Sequence, residues 1–493
     1  MVRVEWPLHV VRRIVLGTLA AAVLAVGGWF LVSWLQENAA RCGDGVVKRG
    51  ADHECVGVTD GSFVFAHHLA PVEKKIRDEN ARVEKNASKE PYVTVAYLTT
   101  FTLKPGDSNS PESVRHELEG AYLAQYRHNQ GDLAAAPKIR LLIANSGSRS
   151  GQWKHTTDEL IKLKDSPDNL VAVTGLGPST DENLETVKLL SENGIAMVAS
   201  IMTATNIQNI DNFVRVAPTN IDEAYAASIY LKRQKFRTAV IVQDAARGNL
   251  YAATLGKAFT EAFPDGKGHQ LVADTMTYDS SVANAWENEL QFMTGQLCDQ
   301  TPQVIYFAGR GAHLTHFLDA LSNRHCQKQK FTVIAGDDTT NLTSKELAAA
   351  ARTRISVLYT GLAHPDMYRT NPEAVSAPSA TFFADGQELD RWFPNEPRDD
   401  GKAIMGHDAV LTAAKGIQMA ASGQSEVTGE AVGRMFHQMN ARQQVAGASG
   451  FISFQNNGNP RDKAVPVLRL TANGRAEFVE VSAASGRPQE KQQ

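Results

Sequence analysis

The stretch VTGLGPSTDENLETVKLLSENGIAMVAS, residues 173–200, contains the pattern that decides the fold. It begins with the last residues of one apolar run of strand length and continues through Ser179 and Thr180 into an amphipathic segment of helical length. It finishes with a second apolar run. Runs of the same kind precede it and a second series follows it, at 92–98, 138–144, 237–243, 269–278, 302–309 and 331–337. Strands that alternate with helices predict parallel sheets with crossover helices. The two series therefore predict an α/β protein with two doubly wound lobes.

The composition narrows the classes of function. A chain of 493 residues, 43% of them hydrophobic and 21% charged, can bury more than one large core. The net charge is only −4, so the composition gives no indication of a nucleic-acid partner. The sequence contains no phosphate-loop pattern, and we expect no cofactor.

Residues 14–35 predict a membrane anchor. These 22 residues carry no charge, and a helix of this length spans the roughly 30 Å of a bilayer core. Arg12 and Arg13 precede it and keep residues 1–13 in the cytoplasm. A cleaved signal peptide is the alternative, but 38–40 form a poor cleavage site. We therefore expect a retained single-pass anchor in the cell membrane, with the bulk of the chain on the outside.

Two polar segments flank the alternating pattern. Residues 36–90 carry a charged run with few apolar residues, which predicts an extracytoplasmic stalk or a helix that lies on the main domain. Residues 481–493 form a polar tail.

The cysteines predict disulfides and no metal site. Cys42, Cys55, Cys298 and Cys326 allow three connectivities. In an oxidising compartment we expect the two sequence-local pairs, Cys42 with Cys55 and Cys298 with Cys326. A metal site is the alternative, but the sequence has no C-x-x-C spacing, and the nearby histidines are typical of a solvated helix face; they are His313, His316 and His325.

A serine-rich turn raises the possibility of a hydrolase. Residues 147–151 read GSRSG, so Arg149 stands where the nucleophile pattern G-x-S-x-G requires serine. Only one predicted strand comes before this turn, which favours a loop that caps the helix beginning near Gln152. His407 and Asp408 are adjacent on a predicted helix start, and we expect them to point in different directions rather than to form a dyad.

Five segments follow one another along the chain: residues 173–205, FVRVAPTNIDEAYAASIYL, TAVIVQDAARGNLYAATLGKAF, GHDAV and GASGFISFQNNGNPRDKAVPVLRL. In this order they resemble the type I periplasmic binding proteins, the leucine/isoleucine/valine-binding family. The resemblance implies a domain over 91–480 with two lobes joined by a multi-strand hinge. Lobe 1 would comprise about 91–218 and 355–425, and lobe 2 about 219–354 and 426–480.

The resemblance implies ligand contacts at the strand ends of lobe 1. Ser179 matches the family's serine that contacts the ligand carboxylate, and both Ser179 and Thr180 open a helix whose free backbone N–H groups suit an anion. A plain helix cap is the alternative for Ser179. The spacing after it departs from the family pattern, so Thr203 and Thr205 compete for the threonine contact.

Lobe 2 would contribute Asp244, Arg247, Asp279 and Asp337 from its own strand ends. Arg247 stands where the family often has an aromatic residue, and a buried guanidinium would prefer an anionic or planar partner. A surface arginine is the alternative. Asp337, together with Asp338, would accept an ammonium group, or else cap the following helix.

These resemblances imply a membrane-anchored extracytoplasmic solute-binding protein and not an enzyme. It would capture a small polar ligand, an amino acid, amide or short peptide, by hinge closure, and deliver it to an ABC permease. A ligand sensor of the same fold that signals to a membrane partner is the first alternative, favoured by the anchor and the stalk. A serine hydrolase or amidase is the second.

The anchor makes a direct prediction about the mature protein. We expect it in the membrane fraction with its first residues intact, because 14–35 are uncharged and no good cleavage site follows them. N-terminal sequencing of membrane and released fractions measures this. A released protein that begins near Arg41 would contradict the prediction.

Overall fold

The computed structural model describes residues 40–131, 136–283, 285–353, 355–394, 396–422 and 426–492, together with Pro7, Val10, Arg12, Arg13 and 15–19. Two sheets of eight strands each form the centres of two lobes, so the predicted α/β fold with two lobes is confirmed. Most of the predicted anchor, residues 14 and 20–35, lies outside the described part. No helix within that part is long and apolar enough to cross a membrane.

Lobe 1 is built on a sheet with the strand order β1-β2-β3-β5-β4-β6-β7-β8. Strands β4 to β8 are parallel to one another, as the sequence pattern predicts. The bounds are Arg41–Gly43 (β1), Val46–Arg49 (β2), Glu54–Thr59 (β3), Tyr92–Thr99 (β4), Lys138–Asn145 (β5), Leu170–Gly175 (β6), Ala196–Ala199 (β7) and Phe213–Arg215 (β8).

The segment predicted as a stalk is part of lobe 1. Strands β1 to β3 form an antiparallel extension, and β3 pairs with β5 from Gly57–Asn145 to Thr59–Ile143. The following helix, Ala70–Lys85, buries Val72 and Ile76 in the lobe 1 core. Such burial of apolar surface stabilises the docked position, so the second of the two predicted arrangements, a helix on the main domain, describes this segment.

Lobe 2 has a sheet of order β10-β9-β12-β13-β14-β17-β18, with β11 also paired to β9. Strands β9 to β14 are parallel, whereas β17 and β18 add an antiparallel edge. The bounds are Thr238–Asp244 (β9), Gln270–Leu271 (β10), Met276–Tyr278 (β11), Val304–Ala308 (β12), Thr332–Ala335 (β13), Ser356–Thr360 (β14), Val465–Leu470 (β17) and Ala476–Ser482 (β18). A separate hairpin of Val445–Gly447 (β15) and Gly450–Ile452 (β16) belongs to lobe 1.

Helices cover both sheets, and several begin at capping residues that the sequence supplies. Ser110 and Thr219 each accept a hydrogen bond from the backbone three residues on, with a reciprocal bond in return. The helices are Ala70–Lys85 (α1), Pro111–Gln130 (α2), Trp153–Lys164 (α3), Asp181–Glu192 (α4), Asn220–Arg233 (α5), Leu250–Ala262 (α6), Trp286–Gln300 (α7), Gly311–Ser322 (α8), Ser344–Arg352 (α9), Met367–Thr370 (α10), Ala377–Thr381 (α11), Glu388–Trp392 (α12), Lys402–Ala421 (α13) and Gly429–Phe436 (α14). Short 3₁₀ turns lie at His67–Leu69, Ser148–Ser150, Asp337–Asn341 and Ala441–Gln443.

The lobe boundaries differ from the predicted ones at two places. Strand β14 ends the parallel part of the lobe 2 sheet, although the sequence placed it in lobe 1. Helix α14 was expected in lobe 2, but Val432 and Phe436 lie in the lobe 1 core. The chain therefore crosses between the lobes after β8, after β14 and before β17. The tail after Ser482 returns to lobe 1, where the Gln489 backbone N–H donates to the Asp462 carbonyl.

Both predicted disulfides are confirmed. Cys42 in β1 is bonded to Cys55 in β3, and Cys298 near the end of α7 is bonded to Cys326 in the loop after α8. No cysteine is left free.

Helices α2 and α13 pack unusually closely at the centre of lobe 1. A methyl group on Gly120 would lie 1.8 Å from the Ala403 carbonyl oxygen, and one on Gly406 would lie 2.0 Å from the Glu117 carbonyl oxygen. Both distances are far inside van der Waals contact, so the two glycines are required for this crossing. The close crossing fixes where Glu117 and Lys402 emerge at the boundary between the lobes.

We predict that Gly406→Ala destabilises the protein by about 1–3 kcal/mol or more, because the new methyl group must push two backbones apart. The matched control is Gly295→Ala in α7, where a methyl group would meet nothing within 4 Å. Gly295→Ala should stabilise the protein by about 0.5–1 kcal/mol, because glycine is unfavourable inside a helix. Urea denaturation of both variants measures the two changes. Equal effects of the two substitutions would contradict the close crossing.

Candidate functional site

The two lobes meet at the carboxyl ends of their parallel strands, where a small cavity lies between them. Its volume is about 10 Å³, which is room for roughly one water molecule. Lobe 1 lines it with Pro178, Ser179, Ile201, Thr203 and Lys402, and lobe 2 lines it with Tyr251, Arg310, Asp337, Asp338 and Asn341. This inner cavity lies where ligands bind in open α/β sheets. The lobes are closed around it, so a ligand larger than a water molecule would require them to move apart.

Ser179 ties together two loops of lobe 1 at the wall of the inner cavity. The chain leaves β6 through Leu176 and Gly177, both with positive φ, and this turn directs Ser179 across to the loop after β7. Its Oγ accepts hydrogen bonds from the backbone N–H groups of Thr203, at 3.1 Å, and Ala204, at 3.0 Å. A hydroxyl that accepts twice keeps its own hydrogen for donation.

Thr180, and not Ser179, caps helix α4. Its side chain accepts from the backbone of Asn183 at 3.3 Å, so the capping alternative for Ser179 does not describe the structure. Of the two competing threonines, Thr203 lines the inner cavity. Thr205 lies beside lobe 2 instead, with its backbone N–H 3.4 Å from Thr254 Oγ1.

Asp337 is the predicted lobe 2 residue that reaches the inner cavity, whereas Asp244, Arg247 and Asp279 are absent from its lining. The buried Asp244 carboxylate accepts from Asn249 Nδ2 at 2.7 Å and from Ser280 Oγ at 2.6 Å. Asp279 accepts from the Ser281 hydroxyl and from the Ser281 backbone N–H, and these bonds lower its pKa. Arg247 is exposed. The assignment of these three residues to a ligand stays a prediction.

Arg310, which the sequence analysis missed, bridges the lobes. It stands at the start of α8, and its Nη2 donates to the Ser179 carbonyl at 2.9 Å. Its Nη1 lies 3.1 Å from Asp338 Oδ1 and 3.3 Å from Ser108 Oγ. The guanidinium also lies 4.9 Å from the ring centre of Tyr251. One side chain from lobe 2 therefore bonds two segments of lobe 1 across the closed boundary.

Lys402 was also missed, and it brings a positive charge to the inner cavity, where it attracts the carboxylates of Asp337 and Glu117. It is the first residue of α13, its side chain is only 1% exposed, and Nζ has no hydrogen-bond partner within the described part of the chain. The neighbouring Glu117 on α2 accepts from Tyr97 Oη at 2.6 Å and from Ser200 Oγ at 2.9 Å, but its Oε1 is unpaired. Burial raises the pKa of Glu117.

Asp337 presents an unpaired carboxylate oxygen from the opposite side. Its Oδ1 is buried and receives no hydrogen bond from an N–H or hydroxyl group of the described residues, but the Asp337 carboxyl is hydrogen-bonded to the carboxyl of Glu223 when one of the two is protonated. Burial raises the pKa of Asp337 to about 6. Behind it, Glu223 Oε2 accepts from the Asp337 backbone at 3.1 Å and from Thr360 Oγ1 at 2.6 Å, and burial next to Asp337 raises the pKa of Glu223 as well.

The residues that suggested a hydrolase perform structural roles. Ser148 Oγ donates to Asp107 Oδ2 at 2.7 Å, in a turn where Arg149 and Ser150 have positive φ. The prediction that His407 and Asp408 point apart is wrong. His407 Nδ1 lies 2.8 Å from Asp408 Oδ1, because the Asp408 carboxylate turns inward to accept from the backbone of the β15–β16 hairpin.

A cluster of His116, Glu119 and Glu396 has the residue types of a metal site. Arg398 Nε donates to Glu119 Oε2 at 2.9 Å, and Arg115 Nη2 lies 2.7 Å from Glu396 Oε2. Cations of the chain therefore already neutralise these carboxylates, and an ion-pair network describes the cluster better than a metal site. His313, expected on a solvated face, is instead mostly buried, with Nδ1 3.1 Å from Tyr278 Oη.

Comparisons with known proteins agree with this geometry. No family model and no curated protein matches the sequence, but many solved structures share the fold. The leucine-binding protein LivK of Thermotoga maritima is 17% identical, with a TM-score of 0.62 over 79% of this chain and 98% of its own. LivJ of Streptococcus pneumoniae in complex with isoleucine is 17% identical, with a TM-score of 0.60 over 80% and 99%. A solute-binding protein of R. palustris in complex with benzoate is 15% identical, with a TM-score of 0.58 over 81% and 99%. The predicted resemblance is thus confirmed at the level of the fold.

The ion-pair network predicts a pH dependence of stability. Burial lowers the pKa of His116, but the charge and hydrogen bond of Asp400, whose Oδ2 lies 2.6 Å from Nδ1, together with Glu396 and Glu119 outweigh burial and raise the pKa to about 9. Because the folded-state pKa exceeds the ordinary 6.5, this stabilisation is complete below about pH 6.5 and is lost as the pH rises to about 9. We expect the loss to be about 3 kcal/mol.

Urea unfolding at pH 6, 7.5 and 9 measures this loss. His116→Gln should remove most of the decrease between pH 6 and 9, while the same change at the exposed His437 should leave it intact. A His116→Gln variant that keeps the full decrease would show that other groups cause it.

Proposed function

We propose that the protein is an extracytoplasmic solute-binding protein that closes its two lobes over a small ligand carrying both an ammonium and a carboxylate group. One observation carries the proposal. Lys402 from lobe 1 and Asp337 from lobe 2 line the same inner cavity, both are buried, and each has an unpaired polar atom in the described structure.

Charges at such a position are costly even though Lys402 and Asp337 attract each other. A buried charged group that lacks hydrogen bonds loses its hydration and gains too little in return. A zwitterionic ligand would supply both missing partners at once, a carboxylate for Lys402 and an ammonium for Asp337. Perturbed ionisable groups in a cleft are typical of functional sites.

The similar structures support a ligand of this class. LivK is named for leucine, and LivJ was solved with isoleucine; both ligands are zwitterions. The R. palustris protein holds benzoate, which has the carboxylate alone. A carboxylate is thus common to the ligands of all three proteins, and Lys402 with the hydroxyl of Ser179 would receive it in this chain.

We further propose uptake rather than signalling, with an ABC permease as the partner and residues 14–35 as the membrane anchor. The stalk was part of the argument for a sensor. Because Val46 and Ile76 of that segment lie in the lobe 1 core, no long spacer separates the binding domain from the bilayer in this proposal. A binding domain held close to the membrane suits direct delivery to a permease.

Binding without chemistry is the proposed activity. The serine-rich turn favours this, since Ser148 is bound to Asp107 and lies outside the inner cavity lining. A hydrolase would require a nucleophile within reach of a base at the cleft.

Thermal melting of the full chain in detergent with the common amino acids tests the proposal. At about 100 times Kd, a ligand should stabilise the protein by about 2.7 kcal/mol. The amide of the best amino acid and its analogue without the amino group should each bind more weakly, because each loses one charge. A protein that responds to none of the amino acids would contradict the proposed function.

Asp337→Asn should separate stability from binding. Burial opposes ionisation of Asp337 and raises its folded-state pKa to about 6. The free-energy cost of ionising Asp337 in the folded protein is therefore absent below about pH 4 and complete above about pH 6. The variant should therefore be more stable than wild type by about 3 kcal/mol at pH 8 and similar at pH 4. Its affinity for the amino acid should fall at least tenfold.

The control is Asp319→Asn, the same change on the exposed face of α8. It should alter neither stability nor affinity. An Asp337→Asn variant that binds as tightly as wild type would exclude Asp337 from the site.

A further inference from the structure

The Arg310 side chain of lobe 2 takes up the space between the lobes beside the inner cavity. It is only 11% exposed, and with its guanidinium in place the inner cavity measures about 10 Å³, which is room for roughly one water molecule. Arg310 lines this cavity together with Lys402 and Asp337. A ligand of several heavy atoms therefore reaches Lys402 and Asp337 only after the lobes separate and Arg310 leaves its contacts with lobe 1.

The guanidinium is bound by groups from both lobes. On the side of lobe 1, Nη2 donates to the Ser179 carbonyl at 2.9 Å and Nη1 donates to Ser108 Oγ at 3.3 Å. On the side of lobe 2, Nη1 donates to Asp338 Oδ1 at 3.1 Å, and the guanidinium carbon lies 4.9 Å from the ring centre of Tyr251. A carbonyl, a hydroxyl, a carboxylate and an aromatic face are all groups that bind a guanidinium well.

Asp338 gives Arg310 a fixed partner within lobe 2. The carboxylate is 3% exposed, and it accepts from the Gly311 backbone N–H at 2.6 Å and from Asn341 Nδ2 at 3.0 Å. Because Arg310 and Asp338 belong to the same lobe, their ion pair does not depend on closure. Lobe 1 joins the pair only when the lobes meet, through Ser108, which accepts from Arg310 and donates to Asp338 at 2.7 Å.

We propose that Arg310 is a built-in latch, which holds the lobes of the unliganded protein together and must release Ser179 and Ser108 before a ligand enters. Hydrogen bonds to a charged group stabilise more than neutral ones, and all the latch bonds involve the Arg310–Asp338 pair. The latch makes the closed form the more populated one, so the affinity for a cleft ligand is reduced in proportion to the open fraction. This inference goes beyond the proposed function, because it concerns the protein without a ligand.

Distances between two spin labels test the latch. All four cysteines form disulfides, so added cysteines are labelled selectively. Glu185→Cys on α4 and Lys257→Cys on α6 place the labels at exposed positions of opposite lobes, in the full chain in detergent. We expect one short distance with the native Arg310 and a longer, broader distribution after Arg310→Ala. The control is Arg352→Ala, the same change at an exposed position of α9, which should keep the short distance.

Methylguanidinium distinguishes a latch from a general loss of packing. In Arg310→Ala, the Ser179 carbonyl, the Asp338 carboxylate and the Tyr251 ring still surround the place of the missing guanidinium. Millimolar methylguanidinium chloride should therefore bind there and restore the short distance. Tetramethylammonium chloride at the same concentration controls for ionic strength and should restore nothing, because this cation has no N–H group to donate.

The outcomes bear on the latch and on the proposed function separately. A long distance with the native Arg310, a short distance that survives Arg310→Ala, or no restoration by methylguanidinium would overturn the latch. None of these results contradicts the proposed function, which melting with amino acids tests. If Arg310→Ala does not fold, Arg310→Lys replaces it, because lysine keeps the charge and lacks the forked donors. We expect Arg310→Lys to lengthen the distance as well, and an unchanged distance would overturn the latch.

Discussion

The crossing of α2 over α13 is the constraint on which the rest of the site depends. The backbones approach so closely at Gly120 and Gly406 that neither position has room for a side chain. This contact holds the start of α13 against the sheet of lobe 1, and Lys402 is the first residue of that helix. A lysine here cannot extend to solvent in the closed form. The close packing of the two helices thus places a buried positive charge between the lobes.

Polar side chains form hydrogen bonds between the lobes in the closed form. Arg310 reaches from lobe 2 to the Ser179 carbonyl, and Ser108 of lobe 1 donates to Asp338 at 2.7 Å. These bonds exist only when the lobes are together, and in the open form the same groups would be hydrated. Each of these bonds has one charged partner, so its net contribution is about 1.5–3 kcal/mol. A contribution of that size can favour closure and still leave it reversible.

The sequence predicted the parallel strands, the lobes and the disulfides, because these follow from apolar periodicity and from spacing along the chain. It also named Ser179, Thr203 and Asp337, which line the inner cavity and lie at or shortly after the ends of predicted strands. It missed Lys402 and Arg310, since each belongs to a helix start whose position against the other lobe depends on tertiary packing. Asp244 and Asp279 also follow strands, but backbone N–H groups of local turns donate hydrogen bonds to their carboxylate oxygens. Position after a strand therefore brings a residue near the cleft without deciding whether its side chain faces it.

Stability and binding make opposite demands on the residues between the lobes. Lys402 and Asp337 both keep polar atoms away from water, and apolar residues of similar volume would stabilise the closed form. Unpaired polar atoms also occur inside the lobes, for example Glu117 Oε1 and Arg215 Nη2, whereas Asp408 accepts from Ala448, Ser449 and His407. Lys402 and Asp337 differ from the groups inside the lobes because they line one cavity between the lobes. A ligand can reach them there, and its binding then recovers free energy that folding leaves unused.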